Sequence, residues 1–196
     1  ATNNVLSPGN SPGLQSYTAG LTWASGGTYL WEIGDWTGSA GSAYDQIAVS
    51  GATLDISATS GSPFTIKITS LTGTATGDPV GNVPGFTDAS QTFTIATTSA
   101  GFGTGASAFD PSKFTLDTSS FTTSIARTGS WSISATGSTV LLNYTVTPTV
   151  TNGSYSLSAS AGAGSIIVGG SSTITATLTN TGTGTADSLN YNTLSV

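Results

Sequence analysis

A chain of 196 residues has room for one large domain, or for a domain with a smaller module, and can bury a core without covalent staples. Only 3 residues are basic and 9 are acidic, for a net charge of −6, and Cys, His and Met are all absent. This excludes a disulfide framework, removes the commonest metal ligands and the commonest general base, and speaks against nucleic acid or anionic membrane as partners.

Solubility has to come from hydroxyls instead of charges: 37 Thr and 31 Ser make up more than a third of the chain. Threonine combines a β-branched stem that suits a pleated surface with a hydroxyl that suits water. The 26 glycines match the many tight turns of a sheet protein. No apolar run approaches the ~18 residues of a membrane-spanning helix, so membrane insertion is not expected. The chain opens at Ala1, as a mature product does after leader removal and as a cut piece also would.

Residues 1–20 contain S-P-G-N-S-P-G at Ser7–Gly13, two Pro-Gly steps that read as a double turn leading into a strand at Leu21–Ala24. The stretch Thr28–Thr69 then organises the chain. Tyr29, Trp31 and Ile33 alternate with polar residues; so do Ile47 and Val49, Leu54 and Ile56, and Phe64, Ile66 and Ile68. A period of two places each set on one face of a strand, with Gly, Ser, Asp and Pro marking the breaks. Leu71–Ser90 is a long loop, either functional or an excursion over the surface. Thr92–Thr97 alternates again with Phe93 and Ile95 inward. Asp110-Pro111-Ser112-Lys113 starts a single helical turn before a strand at Phe114–Leu116. Trp131 and Ile133 mark one further strand, and Val140, Leu142, Tyr144 and Val146 another. Strands at this spacing without a helical period predict an all-β domain.

The succession S-P-G-N-S-P-G, G-G-T-Y-L-W-E-I, A-Y-D-Q-I-A-V-S-G-A-T-L-D-I-S, P-F-T-I-K-I-T-S-L, T-F-T-I-A-T, F-D-P-S-K-F-T-L-D-T-S-S-F and V-L-L-N-Y-T resembles the end of the passenger region of bacterial autotransporter-associated β-strand repeat proteins. The likeness covers about residues 1–147. It implies a stacked or solenoid-like β domain, export to the cell surface or the extracellular space, and a structural or adhesive role. It carries over no catalytic residues. A jelly-roll type β-sandwich is the alternative fold for the same strands.

Residues 151–196 differ. I-I-V-G-G-S-S-T-I-T-A-T-L-T-N-T-G-T-G resembles the opening strands of immunoglobulin-like modules on bacterial surface proteins. A whole sandwich of that type needs about seven strands in ~100 residues, more than this segment supplies. The expected organisation is therefore a β-solenoid-like or β-sandwich domain over 1–150 and partial immunoglobulin-like strands over 151–196. An incomplete sheet leaves unpaired N–H and C=O groups. Packing on the chain's own first domain, donation of strands to another copy, or continuation of the chain beyond Val196 would each satisfy them. Donation predicts a homopolymer, and Ile166, Ile167, Val168, Ile174, Ala176 and Leu178 are its expected self-assembly anchors.

Other residues invite sharper readings. Glu32, Asp35 and Asp45 flank one turn and could be paired carboxylates of a polysaccharide-cleaving enzyme. The plainer reading has Asp35 and Asp45 shaping turns and Glu32 on a solvent face, in a protein that is not an enzyme. Trp23, Trp31, Trp36 and Trp131 could form a sugar-stacking platform, but Trp23 and Trp31 sit in alternating strands and read as core or half-buried. Trp36 sits in a turn, is expected to be exposed, and is the candidate contact for surface glycans. Asp78 and Asp88 in the long loop are where calcium could bind, although no D-x-D-x-D-G pattern is present, and no cofactor or metal is expected. The sequence thus predicts a secreted structural protein, a subunit of an extracellular filament or surface layer built by β-strand addition between copies. A carbohydrate-binding or adhesive surface module is the alternative.

Overall fold

The computed structural model describes residues 4–9 and 11–147 in full and, beyond them, the backbone strands Tyr155–Ala161 and Ile174–Asn180. The chain is all-β. Among the described residues its only helical pieces are two short 3-10 turns, Gly105–Ser107 and Pro111–Lys113. It divides into two compact units, 1–147 and 148–196.

In the first unit the strands come in passes. The first pass holds β1 (Val5–Leu6), β2 (Leu14–Tyr17) and β3 (Leu21–Trp23). The second holds β4 (Thr28–Ile33), β5 (Gln46–Val49) and β6 (Leu54–Ile56). Each strand of the second pass pairs in parallel with its counterpart in the first: Leu6 with Tyr29, Tyr17 with Val49, Trp23 with Ile56. The third pass repeats the order with β7 (Phe64–Ser70) on β4, β8 (Gln91–Thr98) on β5, and Phe102 bridged to Leu54. A last parallel strand, β9 (Phe114–Ser120), lies on β7.

The direction then changes. β10 (Ser130–Thr136) and β11 (Thr139–Thr145) form an antiparallel hairpin, and β11 pairs antiparallel with β8. The resulting sheets run β1-β4-β7-β9 and β10-β11-β8-β5-β2, beside the β3-β6 pair. In the second unit, β12 (Tyr155–Ala161) and β13 (Ile174–Asn180) pair antiparallel, Leu157 opposite Leu178.

Alternation explains which face of each strand is buried. Tyr29, Trp31, Ile33, Ile47, Val49, Leu54, Ile56, Phe64, Ile66, Ile68, Phe93 and Ile95 are all in the core, as their period of two requires. Because parallel pairing keeps register, these residues stack on one another from pass to pass. Tyr29 thus lies beside Ile66 and Trp31 beside Ile68, and Trp23, from a different ladder, lies flat on Phe64 with ring centroids 5.1 Å apart. Each buried large side chain of this kind contributes on the order of 2–3 kcal/mol of burial free energy. The turn at Asp110 forms as expected: its carboxylate accepts from Ser112 N at 2.9 Å, and Pro111 opens the 3-10 turn.

Two readings of the sequence are corrected. Residues 1–20 are more than a double turn, since β1 and β2 flank the Pro-Gly steps. The long loop 71–90 is not a mere surface excursion either. Val83 and Phe86 are buried in the core, Leu71 bridges to Val80, and Asn82 bridges to Thr122.

Gly34, just after β4, lies against the backbone that follows β7. A Cβ there would fall on the backbone carbonyl of Gly73, just after β7, and within 3.0 Å of Thr74 N. Both obstacles are backbone, so they cannot swing aside. Gly34→Ala is expected to cost about 1–3 kcal/mol through overpacking. A urea denaturation series would read this as a lowered midpoint at unchanged slope.

Candidate functional site

Asp45 is the residue immediately before β5, and it is fully buried. Gly13 N, from the end of the Pro-Gly turn, donates to one carboxyl oxygen at 2.7 Å, and Glu32 N donates to the other at 3.0 Å. Its own amide donates to Glu32 O at 2.9 Å, while Trp31 Nε1 donates to its carbonyl at 2.8 Å. One side chain therefore ties the first pass to the second. Burial pushes the Asp45 carboxyl up from 3.8 to about 8, against the downward pull of the two amides, with the nearby Glu32 charge adding to the rise. Glu32 is half-buried on β4, and desolvation raises its pKa as well. Asp35 accepts from the amide and hydroxyl of Thr37, both at 2.9 Å, and so shapes its turn as expected. The expectation that Asp45 also shapes a turn is corrected: it is an internal tie, closed off from solvent.

Trp36 requires a second correction. Its ring is only 2% exposed and sits in a nest of aromatic edges. Phe86 from the long loop lies 4.7 Å away, Phe93 from β8 5.0 Å, Tyr144 from β11 5.4 Å, and Phe121 and Trp131 each 5.9 Å, mostly in T-shaped arrangements. Such edge-to-face contacts are the favoured geometry for aromatic rings. A sugar needs an open ring face to stack on, and Trp36 offers none. The expected glycan contact is therefore not available there. Trp23 and Trp31 are buried, as their alternation predicts, and Trp131 is half-buried.

The loop carboxylates are held by protein donors. Asp88 accepts from Tyr144 Oη at 2.5 Å and from the amide and hydroxyl of Thr128, which lower its pKa. Asp78 accepts from Ala75 N at 2.8 Å. Among the described residues no three His, Cys, Asp or Glu side chains cluster where a metal could be held. The Lys113 ammonium donates to three carbonyls, Ile56 at 3.0 Å, Ala106 at 2.6 Å and Ala108 at 2.8 Å, and so latches the 103–110 loop to β6. Among the described residues no helix is long and apolar enough to cross a membrane.

β1, β2 and β3 are each the terminal strand of their ladder, so among the described residues one edge of each is unpaired. A cleft of about 600 Å³ opens there, lined by Val5, Leu6, Tyr17, Leu21, Thr22 and Phe64 among others. Val5 is 56% exposed, and Leu14 on β2 is 54% exposed. The first charged residue in the sequence is Glu32, so none of β1, β2, β3 or their turns carries a charge. Sheet edges are ordinarily protected by charges, inward-pointing Lys or a covering element.

Of the expected self-assembly anchors, Ile166, Ile167 and Val168 lie outside the described residues. Ile174, Ala176 and Leu178 lie on the backbone strand β13. Sequence reasoning missed the open first pass because the Pro-Gly steps dominate that stretch. The signal available was the absence of any charge before Glu32. Comparison with known proteins finds no matching family model, no matching curated protein and no matching solved structure.

Proposed function

We propose that this chain is a structural, non-catalytic subunit of an extracellular filament or surface layer, exported from the cell and assembled by β-strand addition between copies. In this reading residues 1–150 form a short solenoid-like stack, and 151–196 carry incomplete immunoglobulin-like strands that are donated to a neighbour. Parallel pairing of successive passes supports the stack over a jelly roll, whose strands pair antiparallel. The single observation that carries the assembly reading is the two-stranded β12–β13 sheet, in which each strand has one unpaired edge among the described residues. Strand addition draws its affinity from main-chain hydrogen bonds along such an edge and its specificity from pockets for alternate side chains. The buried Asp45 and Trp36 act in the fold, which fits a protein whose chemistry is confined to holding its shape.

Sedimentation velocity across a concentration series tests this. The expected result is mass growing well beyond the 19.3 kDa monomer. Growth should persist in about 1 M NaCl, because uncharged contacts are not screened. It should be lost in Ile174→Lys or Leu178→Lys. A chain that remains a monomer at every concentration would overturn the proposal.

A further inference from the structure

We infer that the Asp45 carboxyl is a pH-operated clasp: while neutral it holds the Ser7–Gly13 turn against the second pass, and on ionising it lets that turn lift away while the rest of the 1–147 unit stays folded. Three features of the site support such a clasp. First, little else holds the turn. Its sequence is S-P-G-N-S-P-G, so its only apolar side chains are those of Pro8 and Pro12. Among the described residues, its hydrogen bonds to later passes are few. Gly13 N donates to Asp45 Oδ1 at 2.7 Å, Gln46 N donates to Gly13 O at 2.9 Å, and Ser11 Oγ donates to Ala75 O at 2.7 Å and to Thr74 O at 3.3 Å. Segments with so little apolar burial open locally, well below the free energy of global unfolding.

Second, Asp45 has no counter-ion. The groups that face its buried carboxyl are acidic or neutral: the Glu32 carboxyl and the Tyr29 phenol, both on β4. The chain's three cations are engaged elsewhere. Lys113 and Arg127 donate to carbonyls of other elements, and Lys67 stands opposite Leu30 and Asp117 on the β4-β7-β9 ladder. A carboxylate buried without a cation either takes up a proton or reaches water.

Third, only one side of the site can give way. The Asp45 amide donates to Glu32 O at 2.9 Å, its carbonyl accepts from Trp31 Nε1 at 2.8 Å, and Glu32 N holds Oδ2 at 3.0 Å. The residue is thus fastened to β4, and water enters by displacing the Gly13 side. The closed turn favours the neutral acid, whereas a wetted carboxyl ionises in the ordinary aspartate range. Opening therefore becomes about tenfold more frequent with each pH unit until about 8, and levels off above it.

Amide hydrogen exchange in the full chain, followed by NMR and expressed as protection factors so that base catalysis of exchange is divided out, tests the clasp. The Gly13 and Gln46 amides should lose about a hundredfold in protection from about pH 6 to about pH 8. At every pH they should be far less protected than the Ile66 amide in the middle of β7 and the Trp31 indole. In Asp45→Asn the protection of Gly13 should no longer vary with pH. Equal protection at Gly13 and Ile66 would mean that the carboxyl reaches water only when the whole unit unfolds, and would overturn the clasp. So would wild-type protection at Gly13 that stays constant over this range, or a variation that persists in Asp45→Asn.

Discussion

Trp36→Ala is expected to destabilise the 1–147 unit by about 3–5 kcal/mol, the range for emptying a large aromatic from a close-packed site. The ring fills the space between the 81–90 loop, β8 and the β10–β11 hairpin, touching Phe86, Phe93, Phe121, Trp131 and Tyr144. None of these neighbours can collapse into the hole alone, because each is anchored on a different element. Trp36→Phe keeps part of the packing and should cost less than the alanine variant. Chemical denaturation followed by far-ultraviolet circular dichroism separates the two. A change within about 0.5 kcal/mol, the range of ordinary surface substitutions, would mean that the ring lies outside the core.

The second large effect is a dependence of stability on pH that most proteins lack. An Asp45 carboxyl at about 8 in the folded chain and near 3.8 in the unfolded one binds its proton more tightly when folded. Stability from this group is fully present below pH 4 and is lost as pH rises through about 8, by at most about 6 kcal/mol. Asp88, Asp110 and Asp117 act in the opposite sense. Hydrogen bonds lower their pKa values, so their contributions are present above pH 4 and are lost as pH falls through the lowered values. The melting temperature should therefore peak at mildly acidic pH and fall steadily from about pH 5 to 9. Asp45→Asn should abolish that fall while starting lower at pH 5, because its amide group faces two backbone donors. A wild-type melting temperature that is flat or rising over the window would contradict the assignment.

How much of this was legible beforehand depended on how local the cause was. The inward set from Tyr29 to Ile95 could be read because alternation is a property of neighbouring residues. So could the Asp110 turn, whose carboxylate bonds two residues on. Trp36 was misjudged because its turn does look like a surface feature, and what covers it is Phe86 from a loop fifty residues further along the sequence. Asp45 looked like any aspartate beside glycines. Its partners Gly13 and Glu32 belong to two different passes, and nothing in the intervening sequence links them. β1 and β2 were hidden by their shortness and by the two prolines between them. Parallel pairing itself was not written in any one segment. It emerges only when segments of unequal length return to the same ladder, with the difference taken up by loops such as 71–90. The donor anchors were chosen from alternation alone.

The most direct test of the account is negative-stain electron microscopy of the full chain beside the same chain lacking residues 151–196. The account predicts filaments or sheets from the full chain and dispersed particles from the shortened one. Dispersed single particles in both would contradict assembly by strand addition, and filaments in both would contradict the role of the tail as donor.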